Sequence, residues 1–476
     1  MGKRWVRRFP GAGGIVVGLI LSIIVTAWVA WMIARKGYAA AVLLCAGVVL
    51  LGASALLHLE PGLKLAKSTG SSFFDVFQVV QNVMSSNLGG LGLSIMAMGG
   101  FARYMDKLSA GRALYAVVGK PLGYIKSPYV LACMGFLVSQ IIGIAIPSGS
   151  ALALLLMVTL YPVLIQAGVS RATSVAIVAS SRFFDLGPGS ANCLLAAKTA
   201  GISWAEYFFN WQFKVYIPLL IVMVVSHYFV QKYWDRHEPA DAPALQGGET
   251  GGKDSEDSAP KIFAILPIVP LAILLLFNPI VLGSYGIHVN VNVPAAIILS
   301  VLVAMVADFI RRRDTRAVLA GMKDFFEGMG KQLAVVVSLI VAGQIFGDGL
   351  IATGAVKTLI AGADHAAVNA GVIILVMGVI IGVISFLMGS GNAAFFSFAG
   401  LVPDIAAKLG IPAAAMLLPL QIMTGMGRTI SPITGLIVAV GGIAGISPFR
   451  IVKRNLIPIL LCSAMNFILT FVMVLN

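Results

Sequence analysis

The sequence predicts an all-α integral membrane protein, and three observations lead to that fold class. Hydrophobic residues make up 59% of the 476 residues and charged residues only 11%, less than half of the share usual in soluble domains. Apolar runs of about 18 residues or more, the length that lets an α-helix cross a bilayer, recur along the chain. The net charge is +14, but the Lys and Arg residues lie in short clusters between apolar runs, as in cytoplasmic membrane loops. The predicted surroundings are therefore a lipid bilayer, and no nucleic-acid partner is predicted.

The first three apolar runs are predicted as helices. The run at 13–34 is too long for the hydrophobic part of a signal peptide, so it is assigned to the mature protein. A second run covers 38–57. The third, at 73–105, is long for one crossing and is interrupted near Asn87, which would line a pathway or form a helix–helix hydrogen bond.

Two later apolar runs are broken by Pro and Gly. One break is Pro-Ser-Gly-Ser at 147–150, and the other spans 185–192. Proline removes a backbone donor and glycine favours non-helical backbone, so both stretches are predicted to unwind locally.

The second half of the chain repeats these breaks in the same order. The break at 147–150 corresponds to 390–393, and the one at 186–192 to 429–435, both 243 positions later. This spacing predicts an internal duplication with about five crossings and one re-entrant hairpin per repeat. An odd number of crossings makes the repeats inverted, and inverted repeats with broken helices are typical of secondary transporters.

The chain is accordingly divided into three parts. The first membrane repeat is 1–233, and the second is 261–476. Between them, residues 234–260 are rich in acids, glycine and proline, which predicts a flexible cytoplasmic linker.

Basic clusters predict the orientation. Those at 103–126, 311–313 and 450–454 all fit one inverted arrangement, which places the linker inside and the C-terminus outside a bacterial inner membrane. With ten crossings, a fourth cluster at 3–8 would lie outside. Two explanations are open: the first run does not span the membrane, or the later clusters dominate.

The breaks are the predicted substrate site, because polar, helix-breaking sequence inside a membrane is costly unless it lines a cavity. Half-helix N-termini favour anions, and two symmetric sets of donors would suit a substrate with two carboxylates. The alternative is that the small residues only permit tight helix packing. The predicted substrate-binding residues are Ser148, Gly149, Ser150, Gly189, Ser190, Asn192, Ser390, Gly391, Asn392, Arg428, Thr429, Ser431 and Thr434.

Three charged residues flank the unwound segments and have several open roles. Arg428 could contact a substrate carboxylate, reach the membrane surface, or pair with an acid such as Asp404. Asp185 occupies in the first half the position that Arg428 occupies in the second. It could carry a coupling sodium ion or proton, or form a salt bridge with Arg182, three residues earlier.

Enzymatic and ATP-driven functions are not predicted. The sequence has no phosphate-binding loop and no pattern of paired catalytic residues, and no resident cofactor or certain metal site is predicted. Only a coupling ion near Asp185 is kept as a hypothesis.

Longer motifs add a family resemblance. They are MGSGNAAFF at 388–396, GRTISPITG at 427–435, ISPFRIVKR at 446–454, MGGFARYM at 98–105 and KPLGYIKSPY at 120–129. In this order, over nearly the whole chain, they resemble the DcuC family of anaerobic four-carbon dicarboxylate carriers. The resemblance implies transport of fumarate, succinate or malate by exchange, efflux or sodium- or proton-coupled movement.

The resemblance also implies an elevator-type mechanism, a homodimer formed by the scaffold, and substrate held at the hairpin tips and unwound segments. The sequence departs from the family pattern at 187–192, where it reads GPGSAN, and at 147–150, where it reads PSGS. Two alternatives remain. One is a carrier of the same fold for another organic anion, such as citrate, a sulfonate or a peptide-like acid. The other is a channel-like membrane protein.

Overall fold

In a computed structural model the chain folds into helices, and no strand occurs among the residues that the structure describes. Those residues are 12–35, 37–59, 61–63, 65, 68–118, 125, 127–146, 149–238, 260–277, 291–355, 358 and 369–474.

The helices of the first half are listed here in chain order. They are α1 (Ala12–Ala34), α2 (Ala39–Leu57), α3 (Ser72–Asn87 and Leu93–Lys107), α4 (Ala110–Val118), α5 (Pro128–Ala145), α6 (Gly149–Gln166), α7 (Arg171–Ala179), α8 (Ala191–Ala200) and α9 (Trp204–His237).

The second half continues the series. Its helices are α10 (Lys261–Ile268 and Val269–Leu276), α11 (Val293–Arg312), α12 (Thr315–Gln332 and Ser338–Ala352), α13 (Ala370–Met388), α14 (Gly391–Ala399), α15 (Val402–Lys408), α16 (Ala413–Thr429), α17 (Gly435–Ala444) and α18 (Pro448–Val474).

Eight of these described helices are long and apolar enough to cross a membrane: α1, α2, α6, α9, α11, α12, α13 and α18. Many of their large apolar side chains are exposed, for example Ile24 and Ile380, as expected for surfaces that face lipid. The predicted all-α membrane class is therefore confirmed.

The two longest interrupted helices, α3 and α12, each contain one π-helical turn, at Leu88–Gly92 and Leu333–Val337. The turn in α3 lies next to the interruption that the sequence predicts near Asn87. A Cβ atom on Gly92 would lie 2.9 Å from Cγ1 of Val337, so the two π turns pack directly against each other. Small residues thus permit close helix packing in this part of the protein.

At two of the predicted breaks, helices stop inside apolar segments of the chain. The first break lies at 180–190, between α7 and α8, and the second lies at 430–434, between α16 and α17. Helices α7 and α8 thus form the first broken helix, and α16 and α17 form the second. The helix pairs α5–α6 and α13–α14 lie beside them. The helix α6 contacts both α7 and α17, and α14 contacts both α16 and α8. Each pair therefore meets the broken helices of both halves.

The backbones of the two broken helices approach closely at Gly425. A Cβ atom there would lie 2.1 Å from the carbonyl oxygen of Phe183, in the first break. Only glycine allows this contact between α16 and the unwound segment.

A buried charge cluster joins the ends of α9 and α18. Arg454 is 1% exposed and donates to Oδ1 of Asp235 at 2.6 Å and to Oε2 of Glu238 at 2.7 Å. Glu238 also accepts from Arg450 at 2.9 Å and lies 3.2 Å from Lys453. Since α9 ends at His237, residues 234–237 of the predicted linker are helical, and 239–259 lie outside the described residues.

Burial opposes ionisation of Glu238, but hydrogen bonds from Arg454 and Arg450 outweigh it and lower its pKa from 4.5 to about 2. A carboxylate with a lowered pKa stabilises the fold above its unfolded-state pKa, and this contribution is lost as the pH falls from 4.5 towards about 2.

We predict that Glu238→Gln lowers the melting temperature at pH 7, and that the difference from the wild type shrinks between pH 4.5 and pH 3. Thermal unfolding of the purified protein across this range measures it. Glu327→Gln is the control, because Glu327 is exposed and, among the described residues, pairs with Arg103 alone. A Glu238→Gln difference that does not change with pH would contradict the predicted coupling.

We further predict that Gly425→Ala destabilises the protein by about 1–3 kcal/mol, the usual effect of overpacking. Gly442→Ala is the matched control, because a Cβ atom at Gly442 meets no atom of the described residues within 4 Å. Melting of both variants in detergent tests this. Equal melting temperatures would show that the contact with Phe183 yields without strain.

Candidate functional site

The unwound segment of the first half places Asp185 between two arginines. Its Oδ1 accepts from Nη2 of Arg428 at 2.9 Å and from Nη2 of Arg182 at 3.3 Å. Its Oδ2 accepts from Nδ2 of Asn192 at 2.7 Å. Asp185 and Arg182 are almost fully buried, whereas the Arg428 side chain is 21% exposed. Two guanidinium groups therefore face one carboxylate.

Glutamines from two neighbouring helices hold the backbone of this break. The carbonyl oxygen of Asp185 accepts from Nε2 of Gln421 at 2.7 Å and from Nε2 of Gln212 at 3.1 Å. Tyr207 donates to Oε1 of Gln421 at 3.0 Å. Unwound backbone inside a membrane needs such partners, because no water replaces the lost helical hydrogen bonds. No sequence pattern predicted a role for these three side chains.

The role of Arg428 was left open by the sequence, and the structure pairs it with Asp185 rather than with Asp404. Its Nη2 also donates to the carbonyl oxygen of Arg182 at 2.8 Å. Thr434, in the second break, donates through Oγ1 to the carbonyl oxygen of Arg428 at 2.7 Å. Arg428 thus connects the two breaks, and the salt bridge between Arg182 and Asp185 is formed as well.

Asn192 links the first break to the second hairpin. Its Nδ2 lies 3.2 Å from Oδ1 of Asn392 and 3.4 Å from Oγ1 of Thr424. Gly391 permits the close approach, since a Cβ atom there would lie 2.5 Å from Cβ of Thr424. Four predicted site residues therefore come together around Asp185: Asn192, Asn392, Arg428 and Thr434.

Buried polar atoms without partners lie in and next to the two breaks. They are Oγ of Ser181, Oδ1 of Asn192 and Oγ of Ser431, none of which has a hydrogen-bond partner within the described part of the chain. Buried polar groups are normally paired, so these atoms are free to meet a ligand.

Other predicted site residues have structural contacts or lie at the edge. Ser190 caps α8 by accepting from the amide of Cys193 at 3.2 Å, and Thr429 donates to the carbonyl oxygen of Gly425 at 2.7 Å. The remaining positions are described by burial alone: Gly149, Gly189 and Ser390 are half-buried and Ser150 is exposed, while Ser148 lies outside the described residues.

Asn87 forms the helix–helix contact that was one of its two predicted roles, donating to Oε1 of Gln344 at 2.8 Å. Among the described residues, no group of three or more His, Cys, Asp or Glu side chains is placed to hold a metal ion. A coupling ion near Asp185 stays a prediction, and in this arrangement both carboxylate oxygens accept hydrogen bonds from nitrogen donors.

Comparison with known proteins shows the family of this chain. Residues 17–475 match the family model described as C4-dicarboxylate anaerobic carrier. The anaerobic C4-dicarboxylate transporter DcuC of Escherichia coli strain K12 is 33% identical over 458 residues, which cover 96% of this chain and 97% of the relative. A probable anaerobic C4-dicarboxylate transporter DcuC of Vibrio cholerae is 32% identical over 459 residues, covering 96% and 98%.

Two solved structures share the fold. MtrF of Neisseria gonorrhoeae, of a class of antimetabolite efflux pumps, has a TM-score of 0.60 at 14% identity, covering 91% of this chain and 94% of its own. The YdaH transporter of Alcanivorax borkumensis has a TM-score of 0.53 at 16% identity, covering 95% and 97%.

These findings agree with the resemblance drawn from the motifs and with the prediction that the protein is not an enzyme. The chain is a multi-pass membrane transporter, and it belongs to the family of anaerobic C4-dicarboxylate carriers.

Proposed function

We propose that this protein moves four-carbon dicarboxylates such as fumarate, succinate and malate across the bacterial inner membrane, by exchange and by alternating access. The observation that carries the proposal is the partly exposed guanidinium of Arg428, which binds the carboxylate of Asp185 where the two breaks meet. A guanidinium that binds one carboxylate at this place can bind a substrate carboxylate instead.

In the proposed mechanism, Asp185 occupies the place of a substrate carboxylate in the empty carrier. An arriving carboxylate competes with Asp185 for Arg428, whose partly exposed side chain is the accessible member of the charged trio of Arg182, Arg428 and Asp185. The second carboxylate accepts hydrogen bonds from the buried hydroxyl of Ser431 and from the N-termini of α14 and α17. Arg182, buried and tied to the carbonyl oxygen of Gly143 at 2.7 Å, stays in place.

An inverted repeat gives this site its symmetry in the proposal. The π turns of α3 and α12, the two breaks and the contacts of α6 with α17 and of α14 with α8 support it. Asp185 and Arg428 are equivalent positions under the offset of 243 and contact each other, as expected close to a pseudo-twofold axis.

The proposed movement is that of an elevator. The hairpins and broken helices carry the substrate past a scaffold that contains α2, α3, α11 and α12 and forms a homodimer. The proposed orientation has this end of α9 in the cytoplasm and the C-terminus outside, and the basic residues near Glu238 support it. The proposed coupling ion, where one is used, is sodium or a proton.

The proposed function is tested by counterflow in proteoliposomes. Entry of labelled succinate is expected to accelerate when the vesicles hold unlabelled fumarate or malate, with vesicles lacking the protein as control. Aspartate and citrate are loaded in parallel, each with and without a sodium gradient. No acceleration by any of the four internal acids, in protein shown to be folded, would discard the dicarboxylate in favour of another organic anion, and steady currents without counterflow would indicate a channel.

A double variant distinguishes two roles of Arg428, which are binding of the substrate and neutralisation of Asp185. We predict that Arg428→Gln lowers kcat/KM for succinate about ten- to hundredfold, because one charge-assisted hydrogen bond is lost. Arg428→Lys is expected to retain part of the activity. Asp185→Asn combined with Arg428→Gln is expected to be as inactive as Arg428→Gln alone. If Arg428 served only to neutralise Asp185, the double variant would recover transport.

A further inference from the structure

A cavity of about 670 Å³ lies beside the second half of the first broken helix, away from the charged trio. Leu194 and Lys198 of α8 line one side, the π turn of α3 at Gly90 lines another, and Glu206 and Asn292 lie on the remaining sides. Its volume is in the range of about 300–1,000 Å³ that is common for small-molecule sites.

Lys198 brings a positive charge into this cavity. Its side chain is exposed at the cavity, and Nζ donates to Oδ1 of Asn87 at 3.1 Å. Asn87 is buried and is itself held by Gln344, on α12, at 2.8 Å. Within the described part of the chain Lys198 forms no ion pair, so its ammonium group has a neutral partner that a carboxylate would outcompete. An ionisable side chain inside a membrane protein is a candidate for a functional group.

The cavity lies at one end of the molecule. Trp204, at the start of α9, lines it, while Asp235 and Glu238 lie at the far end of the same helix, paired with Arg454. A helix of 34 residues is about 50 Å long, so the cavity and this charge cluster are on opposite sides of the membrane. Lys198 is six residues after Asn192 on α8, about 9 Å along the helix axis.

The charge has no counterpart in the second half. At the offsets of 243 and 244 residues, Lys198 corresponds to Gly441 and Gly442 of α17, which carry no side chain. The other broken helix therefore has no cation at this position, and whatever Lys198 does is confined to one face of the protein.

We propose that this cavity is a receiving site for the substrate on the outer face, where Lys198 binds one carboxylate of a small dicarboxylate before it moves to Arg428. The inference rests on the proposed function. The incoming carboxylate replaces Asn87 as the hydrogen-bond acceptor of the Lys198 ammonium group. This exchange also weakens a contact between α8 and α3. Glu206, on the same cavity wall, opposes the anion and limits how tightly it is held.

The test compares KM on the two faces. Lys198→Gln is expected to raise KM for succinate added outside about tenfold, with KM for succinate leaving the inside and the maximal counterflow rate unchanged. Glu206→Gln, which removes the opposite charge from the cavity, is expected to lower the outer KM. Lys214→Gln is the matched control, because it removes a positive charge from an exposed position on α9.

A second variant changes the charge at position 198 only after the protein has folded and been purified. Lys198→Cys, in a chain with the exposed Cys45 changed to Ser, is purified and then modified with a thiol reagent that adds either an aminoethyl or a sulfonatoethyl group. The cationic adduct is expected to restore the outer KM and the anionic adduct to raise it further. An unchanged outer KM, or an equal rise on both faces, overturns the receiving site. Absent counterflow in the wild type would instead refute the proposed function.

Discussion

The contact between Asp185 and Arg428 is the interaction on which the rest of the site depends. It joins the first break to the second, at a place where Gly425 lets the backbone of α16 approach Phe183. A buried carboxylate and a buried guanidinium are each unfavourable alone, so the two breaks stabilise each other. A second arginine, Arg182, faces the same carboxylate, which makes this place rich in donors for an anionic ligand.

The surrounding helices supply what the breaks lack. Gln212 and Gln421 replace the helical hydrogen bonds that unwinding removes, and Asn192 reaches the tip of the opposite hairpin. On the other side, α3 and α12 pack through their π turns with little space between them. The protein thus combines a polar centre, held by side-chain hydrogen bonds, with an apolar wall of closely packed helices.

Much of this arrangement could be predicted from the sequence, and the reasons are physical. Membrane helices can be recognised by their length and hydrophobicity, and Pro and Gly inside them indicate the breaks. The spacing of 243 residues made Asp185 and Arg428 equivalent but did not reveal that they touch, because contact depends on how the halves pack. Single polar residues such as Gln212 have no spacing signal. The ion pairs of Asp235 and Glu238 could not be predicted, because both residues fall in an acidic segment whose composition is typical of a solvated linker.

Binding of a dianion has an electrical consequence for the proposed carrier. If the parts that hold Arg182, Arg428 and Asp185 cross the membrane as a unit, a doubly charged anion changes the charge that they carry by −2. A membrane potential of about 100 mV contributes about 2.3 kcal/mol per charge, so it acts differently on the empty and the loaded forms. Exchange of one dianion for another sums to zero charge and proceeds at any voltage, whereas net export of a dianion draws on the potential.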